Sequence, residues 1–425
     1  MNTPITKAPA FARRDGALHC EDVPLVAIAQ RFGTPTYVYS RAAILAAYRG
    51  YADALAGRRA LVCYAIKANA NLAVLGLLAR AGSGFDIVSG GELARVLAAG
   101  GDPRKVVFSG VGKTADEITA ALRAGIKCFN LESVDELERV QRVAAGLGLR
   151  APVSVRTNPD VDPKTHPYIT TGLKQNKFGV AYADTLALYR RAAALPNIAV
   201  VGIDCHIGSQ ITEVQPYVDA VDKMLDLVEA LAREGIELDH IDFGGGLGIT
   251  YGDETPPATD ALIAAILARV DARGHGRREI LFEPGRSIVG NAGVLLTRVN
   301  LIKRGEAKNF AIVDAAMNDM MRPALYQAWM DVQAVVPGQT EPIRCDVVGP
   351  VCESGDWLAR DRALAIAEGD LLAILGAGAY GMSMASNYNT RGRAAEVMID
   401  GSRMHEVRRR ETVEELFTGE SVLPE

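Results

Sequence analysis

Between residues 60 and 283 the chain repeats one unit eight times: a short β-branched or apolar run, then polar or glycine punctuation, then an amphipathic stretch rich in alanine and leucine. The runs are LVCYAI at 61–66, FDIV at 85–88, KVVF at 105–108, KCFNL at 127–131, PVSVRT at 152–157, AVVGIDCHI at 199–207, HIDF at 240–243 and EILFE at 279–283. Between them, stretches such as 71–81, 91–99, 134–145 and 214–234 space their apolar residues as helices do. Parallel strands need long crossover connections, and this rhythm supplies them. Eight strand-then-helix units in about 225 residues predict a closed (β/α)8 barrel rather than an open doubly wound sheet.

After residue 283 the rhythm changes. GVLLTRVNLIK, KNFAIVDA, RCDVVGPVCES, LLAILGAG and AAEVMID follow one another with turns between them and little helix, which predicts a mostly β module of the sandwich or barrel kind. TPTYVYS at 34–40 reads as a strand ahead of the barrel that joins this module. The expected organisation is α/β: a barrel over 43–291 and a discontinuous β domain over 1–42 and 292–425.

The 46 Lys and Arg against 51 Asp and Glu leave a net charge of −5 spread along the chain, so there is no concentrated positive field for nucleic acid. The long uncharged run at 371–390 is interrupted by Gly376, Gly378, Gly381, Ser383, Ser386, Asn387 and Asn389, which disqualifies it as a bilayer span. MNTPITKAPAFARRDG at the start has no apolar signal core, and the expected location is the cytoplasm. Cys20, Cys63, Cys128, Cys205, Cys345 and Cys352 form no CxxC pair, so neither a zinc site nor a disulfide framework is expected, and no metal.

Three glycine motifs invite a nucleotide reading. Gly112, Lys113 and Thr114 follow a strand like the end of a P-loop, but Val107 stands where its first glycine belongs. Gly376, Gly378 and Gly381 spell GxGxxG, yet the 44 residues after Gly381 are too few to complete a Rossmann domain. Gly244, Gly245, Gly246 and Gly248 follow the seventh run, where barrel enzymes hold phosphate on unhindered backbone N–H groups. Four glycines exceed what a tight turn needs, which favours a phosphate there.

The strand ends at one barrel face collect Lys67, Asp86, His206, those glycines and Glu283. A partly desolvated lysine can form a Schiff base, a phosphate cradle lies nearby, and an acid is available to keep a ring nitrogen protonated. Together these point to pyridoxal 5'-phosphate.

YAIKAN around Lys67, FDIVSGGEL at 85–93, HIGSQ at 206–210, GGGLGI at 244–249 and EPGR at 283–286 resemble the alanine-racemase-fold, pyridoxal-phosphate-dependent decarboxylases over nearly the whole chain. RPALYQA at 322–328, GPVCESGDWLA at 349–359 and GAYGMSMASNYNTR at 378–391 are similar to the diaminopimelate decarboxylase branch, which makes L-lysine and carbon dioxide from meso-2,6-diaminopimelate in the last step of lysine biosynthesis. Gly376 and Gly392 depart from that branch, which would have an acid and a proline there. The resemblance implies that Lys67 carries the cofactor, Asp86 belongs to its site and His206 stacks on its ring. Ser209, Gly245, Gly246, Pro284, Gly285 and Arg286 would hold the phosphate, and Glu283 the ring nitrogen. Cys352 would deliver a proton to Cα, its neighbours Glu353 and Asp356 disfavouring early ionisation of the thiol. Arg286, Arg322 and Tyr326 would bind the distal carboxylate of this small amino acid substrate, Glu353 its ammonium, and Tyr380 would sit between phosphate and substrate. It also implies a homodimer with shared active sites. Two other readings fit the scaffold: a related decarboxylase of ornithine, arginine or carboxynorspermidine, and a non-catalytic pyridoxal-phosphate-binding regulator. Arg322 with Glu353 favours a zwitterionic substrate end over the first, and Lys67 with Cys352 argues against the second.

Overall fold

A computed structural model describes residues 3–4, 10–162 and 177–425. The chain divides into two compact units, one comprising Ala47–Ile249 and Thr255–Ile288, the other the chain up to Ala46, Thr250–Glu254 and Val289–Glu425.

The first unit is a closed parallel barrel. Its eight strands are Ala60–Ala65, Gly84–Ile87, Val106–Phe108, Cys128–Leu131, Ala151–Asn158, Ile198–Asp204, His240–Asp242 and Glu279–Phe282. Each pairs in parallel with the next, and the eighth pairs with the first through Ile280↔Ala60. Closure leaves no edge, so the short strands are buried on both faces. The helices between them start where side chains satisfy orphan backbone donors: Ser89 caps Gly90–Ala98 and Ser133 caps Val134–Leu147.

This local chemistry also explains the Gly112-Lys113-Thr114 motif. Thr114 forms a capping box with Glu117 at the start of Ala115–Ala124. Lys113 is 2% exposed, and its Nζ donates to the carbonyls of Gly110 (2.8 Å) and Asn130 (2.7 Å) and to Glu136 Oε1 (2.9 Å). The lysine is a buried staple from the loop after the third strand to the fourth strand and the helix that follows it. Lys113→Met is expected to cost about 3–5 kcal/mol of stability by stranding the Glu136 carboxylate, read as a lower urea midpoint.

The second unit is mostly β. The strand Thr36–Ser40 lies inside its nine-stranded mixed sheet, antiparallel to Gly293–Lys303 and parallel to Ala395–Asp400. Phe11, Leu18, Ile28, Val38, Leu296 and Val397 share one buried cluster on this sheet. Strands at Trp357–Leu364 and Arg403–Arg408 escape sequence reading because charged residues break their alternation, exposed Arg360 beside Asp361 and a buried Arg362 in the first, and exposed Arg403 and Glu406 in the second. The glycines of GxGxxG are packing requirements: Gly376 adopts φ +68°, a Cβ at Gly378 would collide with the Val289 carbonyl, and one at Gly381 with the Tyr37 hydroxyl. Gly392, the second departure, lies against the Glu411 carbonyl with no room for a side chain.

Candidate active site

At the carboxyl ends of the barrel strands, Lys67 stands in a short turn just after the first strand. Its Nζ lies 2.6 Å from Oδ2 of the fully buried Asp86 on the second strand. Ala65 N–H donates to the Pro284 carbonyl (3.0 Å), which ties the end of the first strand to the loop after the eighth. Arg286, buried, donates to Ser209 Oγ (3.0 Å) from the same loop. His206 follows the sixth strand and accepts Gly245 N–H at Nδ1 (3.2 Å), which leaves its ring proton to Nε2. Desolvation, then the Arg156 and Lys67 cations, push its pKa well below the usual histidine range, so the ring is neutral.

Glu283 sits at the end of the eighth strand, 4% exposed, with Asn130 Nδ2 3.4 Å from its Oε1. Burial first, then Asp242, Asp86 and Asp204, push its carboxyl well above the ordinary range. One oxygen each of Asp204, Asp242 and Glu283 lies within 4.8 Å of the others, and two full negative charges that close would repel by at least roughly 3 kcal/mol at an effective dielectric near 20. Protonation of the cluster relieves this. Arg156 is buried and paired with Glu132 (3.2 Å). Burial opposes its charge, but Glu132, Asp204, Glu283 and Asp86 together outweigh that and hold it protonated.

The glycine loop after the seventh strand has a packing reason that the residue count does not reveal. Gly244 and Gly246 adopt φ +66° and +98°. Side chains at Gly244, Gly245 and Gly246 would collide with the carbonyls of Cys205, Glu283 and Gly208 respectively, while at Gly248 the Ile211 carbonyl lies 3.1 Å away. Three of the four glycines are therefore required by close loop packing, and Gly248 is tightly surrounded. Packing alone thus calls for most of these glycines, so their number does not by itself favour a phosphate, and the loop brings bare backbone to the barrel mouth.

The remaining sequence-derived site residues lie in the β unit. Arg322 is buried, its guanidinium 4.2 Å from the Tyr251 ring centroid and its Nη1 3.2 Å from Met330 Sδ. Tyr326 closes the same five-residue helix, Arg322–Tyr326. Cys352 and Glu353 lie on an exposed turn, with Cys352 N–H donating to Asn389 Oδ1 (2.9 Å). Asp356 staples that turn by accepting the N–H groups of Met317 (2.6 Å) and Val351 (2.7 Å). Tyr380 adopts φ +55°. The other five cysteines are buried and free.

Residues 41–290 match the family model described as pyridoxal-dependent decarboxylase, pyridoxal binding domain. Over 416 residues the chain is 64% identical to a diaminopimelate decarboxylase of Pseudomonas aeruginosa, covering 98% of this chain and 99% of that one. The chain belongs to the diaminopimelate decarboxylase family. Among solved structures, the diaminopimelate decarboxylase of M. jannaschii in complex with L-lysine superposes with a TM-score of 0.94 at 39% identity, covering 99% of both chains. The Helicobacter pylori enzyme complexed with L-lysine gives 0.89 at 42% identity, covering 92% of this chain and 98% of that one.

As a diaminopimelate decarboxylase family member, the chain is expected to receive pyridoxal phosphate at the barrel mouth, and the residues there suit it. The mouth offers an amine in Lys67, a loop whose tight packing excludes side chains, and buried carboxyl oxygens, Asp86 Oδ1 and Asp242 Oδ2, without hydrogen-bond partners among the described residues. Such oxygens suit a cationic ring. Tyr251, Asn130, Arg156 and the Asp204–Asp242 pair were not singled out by sequence reading. Tyr251 follows the barrel glycine loop in the chain but belongs by contacts to the β unit, where it backs Arg322. Among the described residues, no helix is long and apolar enough to cross a membrane.

Proposed function

We propose that the chain decarboxylates meso-2,6-diaminopimelate to L-lysine and carbon dioxide with pyridoxal phosphate, as a cytoplasmic homodimer that completes each active site with residues from a second copy. The full-length identity to diaminopimelate decarboxylases carries this reading. When bound, the cofactor supplies an electron sink for the pair left behind as carbon dioxide departs. Lys67 would hold it through the ε-amine. Glu283 would keep a proton at the ring nitrogen, while neutral His206 would pack on the ring without adding charge. Ser209, Arg286 and the backbone of Gly245, Gly246, Pro284 and Gly285 hold the phosphate, with Tyr380 beside it. Cys352 of a second copy gives its thiol proton to Cα, replacing the lost carboxyl group.

Arg322, Arg286 and Tyr326 hold the distal carboxylate, and Glu353 the distal ammonium. The Tyr251 ring beneath Arg322 fixes the guanidinium plane. Arg322→Ala is expected to raise KM for diaminopimelate about tenfold or more, since charge-assisted bonds are each worth about 1.5–3 kcal/mol, while cofactor affinity stays unchanged. Equal loss of cofactor affinity would assign Arg322 to the fold. Carbon dioxide release from meso-diaminopimelate, L-ornithine and L-lysine tests the whole reading: release from the first alone supports it. Release mainly from ornithine, or cofactor binding without release from any, overturns it.

A further inference from the structure

The carboxyl groups of Asp204, Asp242 and Glu283 end three successive barrel strands, and one oxygen from each lies within 4.8 Å of the other two. All three side chains are buried. Asp242 Oδ1 accepts Gly244 N–H at 2.8 Å, whereas Asp242 Oδ2 and both oxygens of Asp204 have no hydrogen-bond partner among the described residues. The charged groups acting on the cluster are Asp86 with Lys67, Arg156 with Glu132, and Lys127; the buried thiols of Cys63, Cys128 and Cys205 face it from neighbouring strands, and neutral His206 lies at the mouth. Lys67 and Arg156 each already form an ion pair with another carboxylate. Asp242 and Glu283 are placed to interact through a carboxyl–carboxyl hydrogen bond, which requires a proton on one of them, while Asp204 and Asp242 interact by charge, so the groups titrate as a unit.

We propose that Asp242 and Asp204 are positioning residues for Glu283: Asp242 shares a proton with Glu283, Asp204 adds its charge behind them, and together they set whether Glu283 meets the cofactor ring nitrogen as an acid or as an anion. This rests on the reading that Glu283 faces that nitrogen. The Gly244 N–H anchors Asp242 Oδ1 and leaves Oδ2 to carry the shared proton. With the cofactor bound, the Glu283 proton would pass to the nitrogen, and the carboxylate so formed would accept a hydrogen bond from a proton retained on Asp242. The cluster loses one proton and the ring gains one. Burial first, then the Asp242 charge for Asp204 and Glu283 and the Asp86 charge for Asp242, hold the three carboxyls above their ordinary range, which supports the same picture.

The test is nitrogen NMR of the holoenzyme loaded with pyridoxal phosphate carrying 15N in the ring, titrated in wild type, Asp242→Asn, Asp204→Asn and Glu283→Gln. Each aspartate variant removes negative charge beside Glu283, so its ring nitrogen is expected to deprotonate about one pH unit or more below wild type. Cofactor Kd at pH 8 is expected to rise about tenfold in parallel. Asp204→Asn leaves the Asp242–Gly244 bond intact and decides the matter if Asp242→Asn fails to fold. Wild-type titration in the folded aspartate variants, with protonation lost in Glu283→Gln, overturns the proposal alone. Unchanged titration in Glu283→Gln overturns the Glu283 reading and the proposal with it. One equivalent of tightly held divalent metal in the purified protein would also overturn it.

Discussion

Lys67→Ala is expected to remove the cofactor's covalent absorbance band and to lower turnover roughly a thousandfold or more, because covalent catalysis is lost with its nucleophile. The structure gives the reason for choosing this lysine. Its Nζ stands beside a fully buried carboxylate at the end of a barrel strand, whereas Lys113 is sealed by three hydrogen bonds and Lys127 is paired with Glu279 at 2.7 Å. Borohydride reduction followed by peptide mapping measures the attachment directly. A label on Lys105, Lys113 or Lys177 would remove Lys67 from the mechanism.

Cys352→Ala is expected to be nearly as inactive as Lys67→Ala, yet mixing the two variants is expected to restore activity. Lys67 belongs to the barrel unit, while Cys352 lies on an exposed turn of the β unit. If a second copy supplies the thiol, a mixed dimer has one site lacking both groups and one site with both. Random exchange makes half the dimers mixed, so about one quarter of wild-type sites return. Native mass spectrometry establishes exchange, and carbon dioxide release reads recovery. Exchange without recovery would place Cys352 in its own chain's site.

Sequence reading reaches far in the barrel because both of its periodicities are local. All eight runs fall on observed strands, for example 85–88 against Gly84–Ile87 and 240–243 against His240–Asp242. Lys67, Asp86, His206 and Glu283 could be placed at one face because a parallel barrel puts every strand end there. Tyr251 could not be placed, because its contacts with Arg322 join residues 71 positions apart in the chain.

The amino-acid sequence by itself determined the repeating unit, the number of strands, the change to β structure after residue 283 and the residues at the strand ends. Alternation, helical spacing and capping residues encode those locally. Only the tertiary structure decided which strand ends become neighbours. Register pairs Asp204 with Asp242 and Asp242 with Leu281, and this brings two aspartates to Glu283. A shift of one residue in either pairing would turn alternate side chains to the other face and disperse the cluster. The same holds for the glycines: the sequence lists four in a row of five positions, but the carbonyls of Cys205, Gly208 and Glu283 that forbid side chains on three of them arrive from other strands. Side-chain proximity between strands depends on closure and register, which are set by the packing of the whole barrel and not by any one of its segments.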